Sequence, residues 1–525
     1  MKQYLKFLNP TQQQPIPGQK MVKNNAGGYS FTISDKERLE RFILLGSDDG
    51  TYYATEDKLT FDNATFAIDY IKRDSLEALN VLLSVTSEHR APKYNAILFV
   101  YALIITFSDD TVRKQAYDNI ADICHTPTHL FQLLTYLKPL RGWSRGLRNG
   151  VAKWYLSRSN DKLAYQLVKY RSRSGYTHRD VLRLCHAKTD EPTKNNILKY
   201  AVGKMKSTEG LIHPQINAFE FMQDKELDWT GTSLTYILDT IKTVGMTWEM
   251  IPTERLNNTE VLKAILDEMP YTALLRNLNR YSYNNLTDGM TPIVATICAK
   301  LRNPINAHPV NIVNSMIGYR NGQGDKGCKV WVPNQHILDA LHDAYEIATA
   351  TLTPTNKRIL IGVDTSGSMS IPVSGMQMSA GHLSMVLAQT ILKSEPKAEA
   401  VCFDTCIHHY PFGKRSSLDE VLNHQLSGGG TSCEAPLGYA IANNKVYDAI
   451  IILTDNETWA GKTHVYNDWL AYCKHVNTQT KVVEIALTST PHTNFPPNKD
   501  ILRIVGFDSS VISVLQSFLG STDMG

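Results

Sequence analysis

Two groups of residues in this sequence have the types and spacing to do chemistry, one built of oxygens and one of cations. In the first, Val363-Asp364-Thr365-Ser366-Gly367-Ser368 sets an aspartate and two serines as Asp-x-Ser-x-Ser directly after an apolar run. Aspartate supplies a hard anionic oxygen and each serine a neutral one, while Gly367 lets the loop turn so that all three point inward. Two further loops supply Thr431, after Gly428-Gly429-Gly430, and Asp455, at the end of a second apolar run. Hard oxygens with little net negative charge suit a divalent metal, Mg2+ first, which keeps waters and leaves a position for an incoming ligand. Asp-x-Ser-x-Ser alone is equally a helix cap; the strand before it, and Thr431 and Asp455 in order, favour the metal. No His, Cys or Lys stands beside the serines as a base, and one oxygen site offers no two-metal nuclease geometry. The pattern is one for binding, not for catalysis.

The second group is a block of charge. Between Arg141 and Lys188 the chain carries Arg141, Arg145, Arg148, Lys153, Arg158, Lys162, Lys169, Arg171, Arg173, Arg179, Arg183 and Lys188, opposed only by Asp161 and Asp180. The whole chain has a net charge of only +3, so this block is a local footprint of the kind that binds phosphate. Trp143, Tyr170, Tyr176, His178 and His186 are interleaved with it, and such rings can stack on unpaired bases. The bland alternative is a solvated basic helix face with Trp154 and Tyr155 in the core.

Other positions read as structural. His125 and His129, four apart at a Thr-Pro-Thr helix start, are cap or core residues before they are metal ligands. The stretch Gly318–Gly327, with Arg320, Lys326 and Lys329, lacks the Gly-Lys-Ser/Thr of a phosphate loop and reads as a flexible basic loop. Met269-Pro270 opens a helix whose Arg276 and Arg280 could reach an inner wall. The eight cysteines are scattered without a CxxC pair, and Cys402 and Cys406 have no His cluster at zinc spacing. Reduced thiols and a cytoplasmic protein are expected. No run reaches the roughly 18 apolar residues of a membrane span, and the start, with Pro10, Pro15 and Pro17, is not ordered like a signal peptide.

The elements that position these groups have two textures. At 525 residues the chain is too long for one core. From about Ser34 to Ala350 apolar residues recur at helical spacing. Examples are Ala116, Ile120 and Ile123, and Leu130, Leu133, Leu134 and Leu137; the apolar run Ile97–Phe107 reads as a buried helix. Short breakers between many helices, with no clean period, predict an irregular α-solenoid or bundle. After Pro354 apolar runs ending at Asp364, Phe403, Leu453, Leu487 and Val505 alternate with helical segments. That order predicts a doubly wound parallel sheet covered on both faces, with function at the carboxyl ends of its strands. The expected division is 1–350 for the helical part and 356–525 for the α/β part.

Asp364, Ser366, Ser368, Thr431 and Asp455 resemble the metal-ion-dependent adhesion site of the von Willebrand factor A domain. There the serines and threonine coordinate the metal directly and the aspartates do so directly or through water. Upstream, a series of motifs runs in a known order: Ala26-Gly-Gly-Tyr29, Arg38-Leu-x-Arg-Phe42, Gly46-Ser, Gly50-Thr-Tyr-Tyr53, Pro127-Thr-His-Leu-Phe131, Gly175-Tyr-Thr-His-Arg-Asp180, Met269-Pro-x-Thr-Ala-Leu-Leu-Arg-Asn-Leu278, His308-Pro309 and Trp331-x-Pro333. With Asp455-Asn-Glu-Thr458 and Gly506-Phe-Asp508 they resemble the Ro autoantigen family, whose helical portion is called the TROVE module. The resemblance begins near residue 24 and implies a ring of HEAT-like repeats closed by the A domain. It implies small noncoding Y RNA on the ring's outer face and single-stranded 3′ ends of misfolded RNA in its central hole. RNA quality control and RNP assembly would be the role, by a monomer without catalysis of its own, with room for a protein partner such as an exoribonuclease at the metal. Aligned on the motifs, the RNA surface falls on Lys169, Arg171, His178, Arg179 and His186, then Arg173, Arg183 and Lys188, beside Arg141, Arg145 and Arg148 of the charge block. Tyr176 and Arg179 stand where relatives carry another aromatic and another basic residue. The other reading is a metal-dependent protein-binding scaffold with no specific RNA. The segment Asn9–Gln19 precedes the matched stretch and has no assigned role.

Overall fold

Short polar side chains start the helices of the first 350 residues. Asp74, Asp109, Thr126, Ser144 and Ser159 each accept a hydrogen bond from a backbone N–H in the first turn of the helix that follows. Such caps satisfy donors that the helix itself leaves free. The computed structural model describes residues 10–45, 64–88, 90–91, 94–206, 212–256, 258–283, 287–305, 307–324, 330–373, 376–488, 490–507 and 511–520. The expected motifs at Gly46-Ser and Gly50–Tyr53, Asp508, and Lys326 and Lys329 of the basic loop lie outside them.

The run Ile97–Phe107 belongs to the helix Tyr94–Phe107, buried from Ala96 to Ile105. It is apolar all round because the helices Thr65–Arg73, Ser75–Ser87, Asp110–Asp118 and Pro127–Leu140 surround it. Ala116, Ile120 and Ile123 are all buried, but not on one helix. The chain breaks at Asn119, so Ala116 lies on Asp110–Asp118 and the others on the short helix Ile120–Ile123. The expected loop at Gly318 is also corrected: the helix Pro309–Arg320 runs through it. No helix among the described residues is long and apolar enough to cross a membrane.

Eleven strands are described. Those of the first part are β1 (Met21–Lys23), β2 (Tyr29–Thr32), β3 (Ser172–Arg173) and β4 (Tyr176–Thr177). The later ones are β5 (Ile359–Asp364), β6 (Ala398–Phe403), β7 (Ile407–His409), β8 (Ala449–Thr454), β9 (Lys481–Ala486), β10 (His492–Thr493) and β11 (Ile501–Val505). The main sheet has the order β11-β9-β8-β5-β6-β7, parallel except for the β6–β7 pair. Alternate residues of β5 serve two cores: Ile359, Ile361 and Val363 face the helix Ala380–Ser394, and Leu360 joins Leu437, Phe403, Ile450 and Trp469 on the other face. Burial on both faces is why β5 and β8 are apolar throughout.

The helices form a closed circuit with this sheet. Successive packing runs from Asn160–Lys169 through Pro214–Met222, Gly231–Val244, Thr259–Glu268 and Pro292–Leu301 to Gln335–Ala350, which lies on Ala380–Ser394 of the sheet's cover. The other end returns as well: the helix Asp35–Leu45 packs on β11, and β2 pairs with β10. Asn24 donates to the Thr458 carbonyl at 2.6 Å, and the buried Arg41 guanidinium donates to the carbonyls of Thr490 and His492 at 2.6 and 2.7 Å. The Pro/Gln-rich start joins this seam, with Gln12 buried and its amide donating to the Tyr29 carbonyl at 2.6 Å. The result is a ring-like α-solenoid closed by a doubly wound α/β domain.

Candidate functional site

The oxygen site forms where the sheet changes direction. The chain leaves β5 toward β6 on one side and later places β8 on the other, so a crevice opens at the carboxyl ends of β5 and β8. Asp364 ends β5 and Asp455 follows β8, which brings residues 91 positions apart in sequence to one point. Gly367 N–H donates to the Gly429 carbonyl at 3.0 Å and Gly428 N–H to the Thr365 carbonyl at 3.0 Å, which delivers Thr431 to the same crevice.

All five predicted residues are buried, none exposed by more than 2%. The Asp364 carboxylate accepts from Ser366 N–H at 2.9 Å and from the Thr454 hydroxyl at 2.7 Å. The hydroxyls of Ser366 and Ser368 lie 3.2 Å apart. Asp455 Oδ1 accepts from Glu457 N–H at 3.0 Å. Its Oδ2 and the Thr431 hydroxyl are buried without a hydrogen-bond partner. Burial raises both carboxyls above their ordinary range, and for Asp364 the neighbouring Asp455 adds to it. Two confined carboxyls and three hydroxyls, two of their oxygens orphaned, fit a small hard cation, which would offset the repulsion and partner both oxygens. Asp364, Ser366, Ser368, Thr431 and Asp455 are the residues that would hold it, and such an ion supplies an acceptor for one further anionic oxygen.

The cationic group converges only in part. The helix Asn160–Lys169 ends at Tyr170, a two-residue hairpin joins β3 to β4, and Thr177 with Asp180 caps the helix His178–Cys185 reciprocally. This short return brings Lys169, Arg171, Arg173, His178 and Arg179 to the wall of one cavity of about 630 Å3. Lys169 donates to the Tyr165 hydroxyl at 2.9 Å and lies over the Tyr165 and Tyr170 rings, while the Arg171 guanidinium lies over Phe219. Arg141, Arg145, Arg148, Arg183, His186 and Lys188 are exposed but do not line this cavity. Trp154 and Tyr155 are in the core, as the bland reading required, without cancelling the basic face.

His178 reaches the cavity wall as a buried ring. It is 4% exposed, its Nδ1 lies 2.9 Å from the Tyr155 hydroxyl, and its ring meets Phe131 edge-on at 5.0 Å. Burial pushes the imidazole down to about 3, so it is neutral and offers no charge to a phosphate. It holds the wall; it is not a cationic contact.

Tyr200, Phe219 and Glu249 line the same cavity and were not found from the sequence. They lie on later helices, beyond the end of the basic block, and only packing brings them near. A second cavity of about 390 Å3 shares Lys169 and Glu249 and reaches Trp248 and Arg276. Arg280 stacks on Trp248 at 4.3 Å and is half-buried. His129 stacks on Tyr94 at 3.9 Å, as expected of a core residue. A correction concerns Cys406, which does have a histidine beside it: Asp404, Cys406 and His408 bring their ligand atoms within 4.8 Å of one another.

A helical ring closed by an α/β domain that carries a five-residue oxygen site defines a TROVE-type protein. Residues 22–226 and 243–316 match the TROVE domain and residues 358–519 the Ro60 vWA domain. The chain is 31% identical over 537 residues to the RNA-binding protein RO60 of Deinococcus radiodurans, across 99% of each chain. It is 30% identical over 579 residues to that of Caenorhabditis elegans, across 95% of this chain and 90% of the other. The crystal structure of the Deinococcus radiodurans RO (RSR) protein superposes with a TM-score of 0.71 at 30% identity, covering 93% of this chain and 99% of that one. The chain belongs to the Ro60 family.

Proposed function

We propose that this protein binds RNA: small structured noncoding RNA of the Y type on the ring's outer face, and single-stranded 3′ ends of misfolded noncoding RNA in the ring's cavity. Its place would be in RNP assembly and RNA quality control. The observation that carries this reading is the cavity in which Lys169, Arg171, Arg173 and Arg179 meet Phe219 and Tyr200, with Glu249 the one acid among the described lining residues. Cations for phosphate beside rings for bases are what a partly single-stranded RNA needs. The names of the relatives point the same way. In this reading Mg2+ at Asp364, Ser366, Ser368, Thr431 and Asp455 makes the A domain a port for a partner's carboxylate, an exoribonuclease being one such partner.

The test is the double variant Lys169→Ala, Arg171→Ala, titrated with a small structured noncoding RNA over a range of salt. Affinity should fall, and the dependence of log K on log salt should flatten by roughly 0.7–0.9 for each phosphate that is no longer neutralised. Unchanged affinity and slope would remove the cavity from the RNA surface.

A further inference from the structure

Antiparallel pairing of β6 with β7 leaves a short turn at the outer edge of the sheet; the turn carries Asp404 and Cys406, and His408 follows on β7. The chain reverses over residues 404–406 and Ile407 pairs with Phe403, so the reversal folds the Asp404 carboxylate and the Cys406 thiol back beside the His408 imidazole. The turn is pinned: Asp404 N–H donates to the Cys406 carbonyl at 3.1 Å, and Cys406 N–H to Asp404 Oδ1 at 3.0 Å. Cys406 is exposed and forms no disulfide, whereas Asp404 is almost wholly buried.

The spacing of the three donor atoms is informative. Cys406 Sγ lies 3.6 Å from His408 Nε2 and 3.7 Å from Asp404 Oδ1. A tetrahedral zinc with Zn–S of about 2.3 Å and Zn–N or Zn–O of about 2.0–2.1 Å would hold sulfur about 3.6 Å from each lighter ligand. The imidazole and carboxylate are closer, at 2.9 Å, because they share a proton. A metal in place of that proton would need them to part to about 3.3 Å, a small side-chain rotation. Asp404 Oδ1 accepts from Cys406 N–H at 3.0 Å and lies 2.9 Å from His408 Nε2, which aims the carboxylate at the other two donors. An anionic oxygen, a thiol and an imidazole form a mixed donor set that suits zinc and not magnesium.

We propose that Asp404, Cys406 and His408 form a second metal site, distinct from the oxygen site, which takes Zn2+ with its fourth position open to water or a partner's ligand. Binding takes the thiolate of Cys406 and the Nδ1–H tautomer of His408, so the thiol proton goes to solvent and the imidazole proton moves from Nε2 to Nδ1. The site adjoins the loop that carries Thr431. The Asp404 carbonyl accepts from Ser432 N–H at 2.9 Å, and a Cβ on Gly429 would meet the Asp404 carboxylate at 2.6 Å. Zinc at the turn therefore braces the loop from outside, and this inference stands independently of the RNA reading.

The full-length protein is titrated with Co2+, in excess Mg2+ to occupy the oxygen site, and then competed with Zn2+. A thiolate-to-cobalt charge-transfer band should saturate at one equivalent and disappear as Zn2+ displaces the probe. The band should be lost in Cys406→Ser and kept in Asp364→Asn. In His408→Cys, which offers a second thiolate, it should intensify, so the idea remains testable if Cys406→Ser folds poorly. No band in the wild-type protein, a band that survives Cys406→Ser, a band that vanishes with Asp364→Asn, or no gain in His408→Cys would each overturn the proposal.

Discussion

At the scale of single residues, burial separates side chains that composition makes look alike. Lys169 and His178 both line the basic cavity, yet one is a half-buried cation and the other a neutral ring locked against Tyr155 and Phe131. His178→Ala should therefore cost stability, about 1–3 kcal/mol for the partner left unpaired, and leave the salt slope of RNA binding unchanged. Thermal melts and salt titrations of the same variant check both parts. The sign with pH follows from its depressed folded value. The unfolded chain takes up a proton on this histidine below about 6.5 while the folded chain refuses it down to about 3. Its contribution is complete above about 6.5 and is lost as pH falls through that window, by about 1.4 kcal/mol per pH unit. Melting temperature should fall less steeply with acid in His178→Gln than in the wild-type protein. At the other site, Thr431 and Asp455 each bring an orphaned oxygen. Saturating Mg2+ at about a hundred times its Kd should stabilise the wild-type chain by about 2.7 kcal/mol, and Thr431→Ala or Asp455→Ala should reduce or abolish the gain. A melting temperature indifferent to Mg2+ in the wild-type protein would leave the loop as architecture only.

At the scale of elements, the charged helix Arg145–Ser157 sits where it does because it has glycines at a close crossing. A Cβ on Gly150 would meet the Tyr117 carbonyl at 2.6 Å and the Ile120 side chain at 2.8 Å, so the helix could not lie against Asp110–Asp118 with a larger residue there. Gly150→Leu should cost about 1–3 kcal/mol from overpacking. It should also shift the exposed Arg145 and Arg148 relative to the cavity, which would appear as weaker RNA binding together with a lower melting temperature. The hairpin from Ser172 to Thr177 has a comparable role, since its two paired residues on each strand turn the chain so that Arg171 and Arg179 face one space. Neither effect can be read from charge, which is the same on a helix placed elsewhere.

At the scale of the whole molecule, the seam between residues 12–41 and the A domain closes the circuit. Arg41 is 4% exposed, and desolvation lowers its guanidinium to about 10, yet it stays charged and holds the carbonyls of Thr490 and His492. The neighbouring Glu37 reaches Arg503 on β11. Arg41→Met should cost about 3 kcal/mol or more, because it removes two charged hydrogen bonds. Hydrogen exchange should accelerate first at β2 and β10, ahead of the helices far from the seam. Uniform acceleration across the molecule would mean that closure and folding are one event.

What the sequence by itself determined is whatever chemistry is local or periodic. Asp-x-Ser-x-Ser after a buried strand, the apolar strands of the α/β part and the capped amphipathic helices were legible because each signal spans a few residues. Asp455 was legible because the carboxyl ends of parallel strands meet by topology, and Thr431 because it follows a glycine run and fits the resemblance. The tertiary structure alone decided which members of the basic block converge. It decided that His178 faces Tyr155, and that Tyr200, Phe219 and Glu249 complete the wall. Those outcomes depend on packing between segments far apart in the chain, where burial changes the ionisation of a side chain that its own neighbours leave undetermined. The triad Asp404, Cys406 and His408 stands between the two cases. Its residue types are written in the sequence, but only the pairing of β6 with β7 makes residues 404–406 a turn that folds the carboxylate and thiol back beside the imidazole on β7.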